Sequence, residues 1–430
     1  MPKWLDARKD DQAVLRELRP RDALCLMRSC QPDVRRIVEA VRDEGDKALN
    51  LFRRRFDHPR AKADDLWVSE EEVEEAYKEV GEDFLGLVRK TARRIREHHK
   101  RQLEGLKKAL FRGATGVVMR PISRVGAYIP GGRFPYPSTA LMTIIPAKVA
   151  GVGEVVAATP PGRGGKVPAI TLVALKEAGA DRILRAGGAH AVAALAFGTE
   201  SVPKVDKVVG PGGTFVTLAK LEVYGEVGVD MLAGPSEVAV VADGSQPPKF
   251  AASDLLAQVE HDPLARGWLI TPDEKFAREV EQWGARLIEG LPQPLKRAWA
   301  EQVFFVLSRD LRHAVELANL LAPEHLEIQA EAPRRLLRYV KDAGAIFLGP
   351  LSSAVMGDYV AGPSHVLPTG GAAVYRSALG VWDFVKFSTV VDLKEPQFKR
   401  LAPMAVEWAR REGMEAHRLA VEVRLEGARR

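Results

Sequence analysis

Glu154-Val155-Val156-Ala157-Ala158-Thr159, then Ala169-Ile170-Thr171-Leu172-Val173-Ala174-Leu175-Lys176-Glu177-Ala178-Gly179, then Arg182-Ile183-Leu184-Arg185: this succession decides the fold. The first run is short, apolar and bounded by a proline pair, which reads as a buried strand. The run from Ala169 to Ala178 is long enough for a helix, and Gly179 ends it because glycine takes a left-handed C-terminal turn without strain. Arg182–Arg185 is a second strand, and the turn Gly187-Gly188 leads into a helix over His190–Phe197. Working outward, Val125–Pro130 reads as a strand and Ser138–Ala150 as a helix. Lys204–Val209 is a further strand, followed by the turn Gly210-Pro211-Gly212-Gly213 and another helix. Strands and helices alternating at this spacing predict a parallel sheet with helices on both faces.

The alternation resumes at Glu237–Ala242. Helices over Phe250–Gln258, Asp273–Leu287, Asp310–Leu321 and Pro333–Val340 precede strands at Trp268–Thr271, Val303–Leu307, His325–Ile328 and Ala345–Leu348. The expected fold class is α/β, with two Rossmann-like parallel-sheet domains, a helical N-terminal region and a small helical C-terminal tail. The expected boundaries are 1–124 for the helical region, which contributes to the first α/β domain, 125–236 and 237–381 for the two sheet domains, and 382–430 for the tail. That tail is too short to fold alone and is expected to pack on a partner surface. In the N-terminal region, Ser69 with Glu72 makes a capping-box pattern. Leu85, Val88, Ala92 and Ile95 mark a helix over Asp83–Leu110. His98 and His99 lie about 100° apart on it, which excludes joint chelation of one metal. Both are expected to face solvent.

The 430 residues are 46% hydrophobic and 28% charged, an ordinary globular composition, with a formal net charge of +6. Basic residues such as Arg89, Lys90, Arg93 and Arg94 follow acidic ones at Glu70–Glu72, so no face concentrates cations and nucleic-acid binding is not expected. Pro146, Lys148 and Glu154 interrupt the longest apolar stretch, Leu141 to Pro160, so no membrane span is expected. The opening residues lack the apolar core of a signal peptide. Cys25 and Cys30 have no neighbouring Cys/His pair for a zinc finger and read as buried thiols of a reducing compartment. These features predict a cytoplasmic protein. Asparagine occurs only at Asn50 and Asn319, and scarcity of a thermolabile residue points to a hot-growing source.

Chemistry is harder to locate. No GxGxxG fingerprint opens a helix after a strand, and Gly162-Arg163-Gly164-Gly165-Lys166 lacks P-loop spacing. Three clusters are candidates. Gln258 and His261 are three apart and share a helix face, an arrangement equally ordinary on a solvated helix. Glu324-His325 joins a carboxylate to an imidazole at the mouth of a sheet, which suits acid–base work or a plain surface loop. Asp358 to Gly371, with His365, is a loop rich in Gly and Pro, and Glu412 with His417 adds a carboxylate and an imidazole near the end. Spacing alone does not assemble these into one site.

Longer ordered segments do. Val125-Gly126-Ala127-Tyr128-Ile129-Pro130-Gly131-Gly132, Ala194 to Lys207, Ala233-Gly234-Pro235-Ser236-Glu237, Ala322-Pro323-Glu324-His325-Leu326, Ala361 to Thr369 and Glu412-Gly413-Met414-Glu415-Ala416-His417 together resemble the histidinol dehydrogenase family from about Val125 to Arg424. The resemblance implies a zinc ion held by Gln258, His261, Asp358 and His417, and L-histidinol as substrate, bound by Ser236, Gln258, His261, His325, Asp358, His365, Glu412 and His417. It implies oxidation in two steps with NAD+, with His325 as base for the alcohol proton and Glu324 as activator of water at the aldehyde. It further implies a homodimer whose sites are completed by the partner's tail. The resemblance also implies NAD contacts at Tyr128, His190 and Gly213. The family usually carries Gln where this chain has His190 and Asn where it has Gly213, and losing one uncharged hydrogen bond costs about 0.5–1.5 kcal/mol. Two other readings stay open: a dehydrogenase of the same fold acting on another small alcohol, and a non-catalytic basic binding protein on an enzyme scaffold.

Overall fold

A computed structural model describes residues 2–18, 22–108, 115–132, 134–232 and 234–427. Its strands, in chain order, are β1 (Lys3–Asp6), β2 (Thr115–Pro121), β3 (Arg124–Tyr128), β4 (Glu154–Thr159), β5 (Arg182–Arg185), β6 (Lys207–Val209), β7 (Gly228–Val229), β8 (Glu237–Ala242), β9 (Arg266–Thr271), β10 (Val303–Leu307), β11 (His325–Gln329), β12 (Ala345–Leu348) and β13 (Val385–Val391). Two parallel sheets form the frame, in the orders β5-β4-β3-β6-β7 and β1-β10-β9-β8-β11-β12. The α/β class with two parallel sheets expected from the sequence is what the chain adopts.

Each sheet is covered on both faces, which is why its strands are nearly all apolar. In β4, Val155 and Ala157 pack toward the helices Glu70–Lys108, Pro137–Ala150 and Ala169–Ala178, while Val156 and Ala158 meet Gly188–Phe197 and Thr214–Glu222 from the other side. In β8, Val238, Val240 and Ala242 face the helix Pro248–Glu260, and Ala239 and Val241 face Leu311–Leu321. β11 breaks the apolar rule on one face only. Its Leu326 and Ile328 join the core, whereas His325, Glu327 and Gln329 lie beside Val238, Val240 and Ala242. By strand alternation those three polar side chains share the face under Pro248–Glu260.

Several local expectations hold. The Ser69 hydroxyl accepts from the Glu72 N–H, and the Glu72 carboxylate accepts from the Ser69 N–H, both at 3.2 Å. The helix there runs Glu70–Lys108, kinked where Gly81 adopts φ 73°.

Other expectations fail. The N-terminal region is not wholly helical: β1 pairs with β10, and Ala7, Val14, Leu15 and Leu18 join the core of the second sheet. The tail is not wholly helical either, since β13 pairs antiparallel with β2. His99 is fully buried rather than solvent-facing, its Nδ1 2.8 Å from the Ile95 carbonyl. The helix packs on both sides there, so the neighbours, and not the side chain's polarity, set its exposure. Cys30 is half-buried, and the side chain of Cys25 lies outside the described residues. No helix among the described residues is long and apolar enough to cross a membrane.

Candidate active site

The strand orders reverse between β3 and β6 in one sheet and between β8 and β11 in the other. At the carboxyl ends of the strands such a reversal splays the connecting loops apart and leaves a crevice, and the one in the first sheet opens onto the site. A cleft of about 480 Å³ lies there, walled on one side by Pro130, Gly131 and Pro211–Thr214 and on the other by Ser236, His261, Glu324, His325, Asp358 and His365. The first wall comes from the carboxyl ends of β3 and β6. The second comes from the amino ends of β8, β9 and β11, an unusual face for chemistry in an α/β sheet, together with Asp358 on the helix Ala354–Tyr359 and His365 in the segment after it.

The Gly210-Pro211-Gly212-Gly213 turn is held from below. Gly210 has φ 107°, and a β-carbon there would collide with the Tyr128 carbonyl oxygen. Buried Lys220 and Asp230 form an ion pair that grips both backbone groups of Gly210. Lys220 Nζ donates to its carbonyl at 2.9 Å, and Asp230 accepts its N–H at 2.7 Å.

His325 is the centre of the second wall. Its Nδ1 lies 3.2 Å from the Glu237 carbonyl oxygen, its Nε2 lies 3.7 Å from an Asp358 carboxylate oxygen, and Nε2 has no hydrogen-bond partner. Glu324 Oε2 stands 3.7 Å from Nδ1 and accepts the Glu237 N–H at 3.0 Å. Burial pushes the imidazole down, but the Glu324 and Asp358 carboxylates outweigh it and hold His325 up at about 9. Burial raises Glu324 above the usual carboxylate range, partly offset by His325. Asp358 is also raised by burial, yet His325, His365 and His261 around it bring it below its ordinary value. His365 is lowered by burial. Its Nδ1 donates to the Asp358 carbonyl at 2.7 Å, and Thr139 Oγ1 lies 3.2 Å from its Nε2, so it braces the segment carrying Asp358.

These residues suit a cation. Asp358 supplies a carboxylate held ionised among imidazoles. His261 lines the cleft, and Gln258, one helical turn before it, is buried with its Nε2 unpartnered. Nitrogen and oxygen donors mixed in this way fit zinc and similar divalent ions. Among the described residues, no three His, Cys, Asp or Glu side chains are gathered tightly enough to hold a metal by themselves. His417 and Glu412 are exposed on the tail and are not among the residues lining the cleft of this chain.

Of the three expected cofactor positions, Gly213 lines the cleft as the N-cap of Thr214–Glu222. Tyr128 is buried and not among the lining residues, its hydroxyl accepting the Gly188 N–H at 3.1 Å, and burial pushes it up to about 12. His190 is buried 2.8 Å from Asp57 Oδ2, which also accepts the Gly187 N–H, and packs beside the stacked rings of Phe52 and Phe56. Sequence reasoning missed Asp57, Thr139 and the role of Glu237. Glu237 opens β8, and nothing in the sequence separates it from an ordinary strand residue.

The family sequence model described as histidinol dehydrogenase matches residues 24–425. The histidinol dehydrogenase of Moorella thermoacetica is 47% identical over 91% of this chain and 94% of its own length. That of Methanopyrus kandleri is 47% identical over 91% and 93%. A crystal structure of histidinol dehydrogenase from Elizabethkingia anophelis superposes with a TM-score of 0.87 at 32% identity, covering 93% of each chain. By the extent of these matches, the chain belongs to the histidinol dehydrogenase family.

Proposed function

We propose that the protein oxidises L-histidinol through L-histidinaldehyde to L-histidine at this cleft, passing two hydrides in turn to two molecules of NAD+. Membership of the family makes it an oxidoreductase of histidine biosynthesis. The observation that carries the reading is His325: a buried imidazole whose Nε2 is free, set between the carboxylates of Glu324 and Asp358.

A carbonyl oxygen only accepts, so the contact with Glu237 places the hydrogen on Nδ1 and leaves Nε2 to take the alcohol proton. In the free protein the two carboxylates keep His325 protonated at neutral pH. A cation held by Asp358 would offset part of the negative charge that raises His325, leaving Glu324 as the carboxylate beside its Nδ1. Glu324, pushed up by burial, is suited to take a proton from the water that adds to the aldehyde. Ser236 and His365 border the substrate, while Pro130, Gly131 and Gly213 line the dinucleotide side; Tyr128 and His190 are buried and are not among the lining residues. Zinc, when bound through Gln258, His261, Asp358 and His417, supplies a fixed anchor for the imidazole and amino nitrogens of the substrate.

The same proposal includes a homodimer in which His417 and Glu412 reach the cleft of the second copy. It is supported by the tail, where helices Glu395–Arg411 and Glu415–Gly427 bury only Ala402 and Ala409 and leave Met404, Trp408, Leu419 and Val423 exposed. Exposed apolar side chains grouped in this way mark a contact surface. The cytoplasm, where a biosynthetic dehydrogenase draws on the NAD+ pool, completes the reading. Its test is NADH formation dependent on histidinol, with and without a chelator, at two NADH per histidine. A protein that yields no NADH from histidinol after zinc loading refutes it.

A further inference from the structure

Outside the cleft, the buried Glu327 and Gln329 of β11 meet the half-buried Asp254 of the helix that covers them. Gln329 Nε2 donates to Asp254 Oδ2 at 2.8 Å and to Glu327 Oε2 at 2.9 Å. Glu327 Oε1 accepts the Ala354 N–H at 2.7 Å. Glu327 and Gln329 are each 1% exposed. Burial first and the Glu327 charge second hold Asp254 up at about 9, so that it is protonated beside the Glu327 carboxylate.

The cluster joins three elements, and each carries part of the candidate site. Asp254 lies one turn before Gln258 on Pro248–Glu260, and His261 follows that helix. Glu327 lies two residues after His325 on β11. Ala354 is the first residue of the helix Ala354–Tyr359, which bears Asp358, and the N-cap Ser353 gives that helix no side-chain cap. Glu327 therefore caps it from the neighbouring strand.

We propose that Glu327, through Asp254 and Gln329, is a positioning residue that fixes Gln258, His261 and Asp358 relative to one another and so sets the affinity of the site for its metal. The inference rests on the metal reading above. Groups that orient metal ligands from behind typically change affinity 10–100-fold when removed. Asp254→Asn keeps a permanent donor toward Glu327 and preserves the network; Asp254→Ala cuts the tie to Pro248–Glu260 while leaving the cap of Ala354–Tyr359 intact.

The test is zinc affinity of the full-length apoprotein, measured by competition with a chromophoric chelator, beside far-UV circular dichroism. Glu327→Ala and Asp254→Ala are expected to weaken zinc at least about tenfold, and Asp254→Asn to stay within about threefold of the parent. Folded Asp254→Ala protein that binds zinc as tightly as the parent overturns the inference, even if Glu327→Ala does not fold. So does equal weakening by Asp254→Asn and Asp254→Ala. A parent protein that binds no zinc fails the metal reading itself, and this inference with it.

Discussion

The Nδ1 atom of His325 lies 3.2 Å from the carbonyl oxygen of Glu237, and this contact decides which nitrogen can act. An asparagine amide at the same place can keep the donor and lose the base. His325→Asn is therefore expected to lower kcat for histidinol by about 10²–10⁴-fold, the usual worth of a positioned base. KM and bound zinc should stay near their parent values. A rise in KM at unchanged kcat, measured by steady-state NADH formation, contradicts the assignment.

Glu324 sits on the other side of the same backbone link, accepting the Glu237 N–H. In Glu324→Gln the group that draws a proton from water is lost, while His325 still serves the alcohol. The variant is expected to oxidise histidinaldehyde more slowly by a larger factor than histidinol. Equal losses in single-turnover measurements of the two half-reactions count against a separate role.

Glu237 itself is held up at about 8, first by burial and then by the charge of Glu324. A carboxyl raised above its unfolded value near 4.5 binds its proton more tightly when folded. The stability that proton brings is complete below about pH 4.5 and is lost as pH rises through about 8. Glu237→Gln does not titrate. Its stability relative to the parent is expected to improve between pH 5 and pH 9 by at least about 1 kcal/mol, since a tenfold difference in proton affinity is worth about 1.4 kcal/mol. Urea unfolding at the two pH values checks this, and a constant difference refutes it.

His261 lines the cleft while His417 is exposed on the tail of the same chain. If the second copy supplies His417, then His261→Asn and His417→Asn are each inactive, yet the mixed dimer holds one site with both histidines intact. Co-refolding the two in equal amounts is expected to recover about a quarter of parent activity, by random pairing in a two-fold dimer. Persistent inactivity of verified heterodimers sinks the shared site.

Much of the frame was legible because it is written in short-range pattern. β4, β5, β8, β10 and β12 lie where the apolar runs placed them, and Ser69 with Glu72 caps its helix as spacing demands. A run buried on both faces, or a cap three residues long, carries its own signature. The cleft residues were legible in another way. Glu324, His325, Asp358, His365 and His261 stand out as separate clusters, resemblance joins them with Ser236, and all six line one cleft. Their spacing along the chain offers no reason for them to meet.

What the sequence determined alone was the alternation of strand and helix, since hydrophobic periodicity acts over a few residues. Tertiary structure decided the rest. It set β1 beside β10, and β13 beside β2, pairings between segments hundreds of residues apart. It buried His99, and it turned the polar face of β11 toward Pro248–Glu260. A strand's partner and a side chain's burial depend on which distant surfaces come to rest against them, and no local pattern encodes that choice.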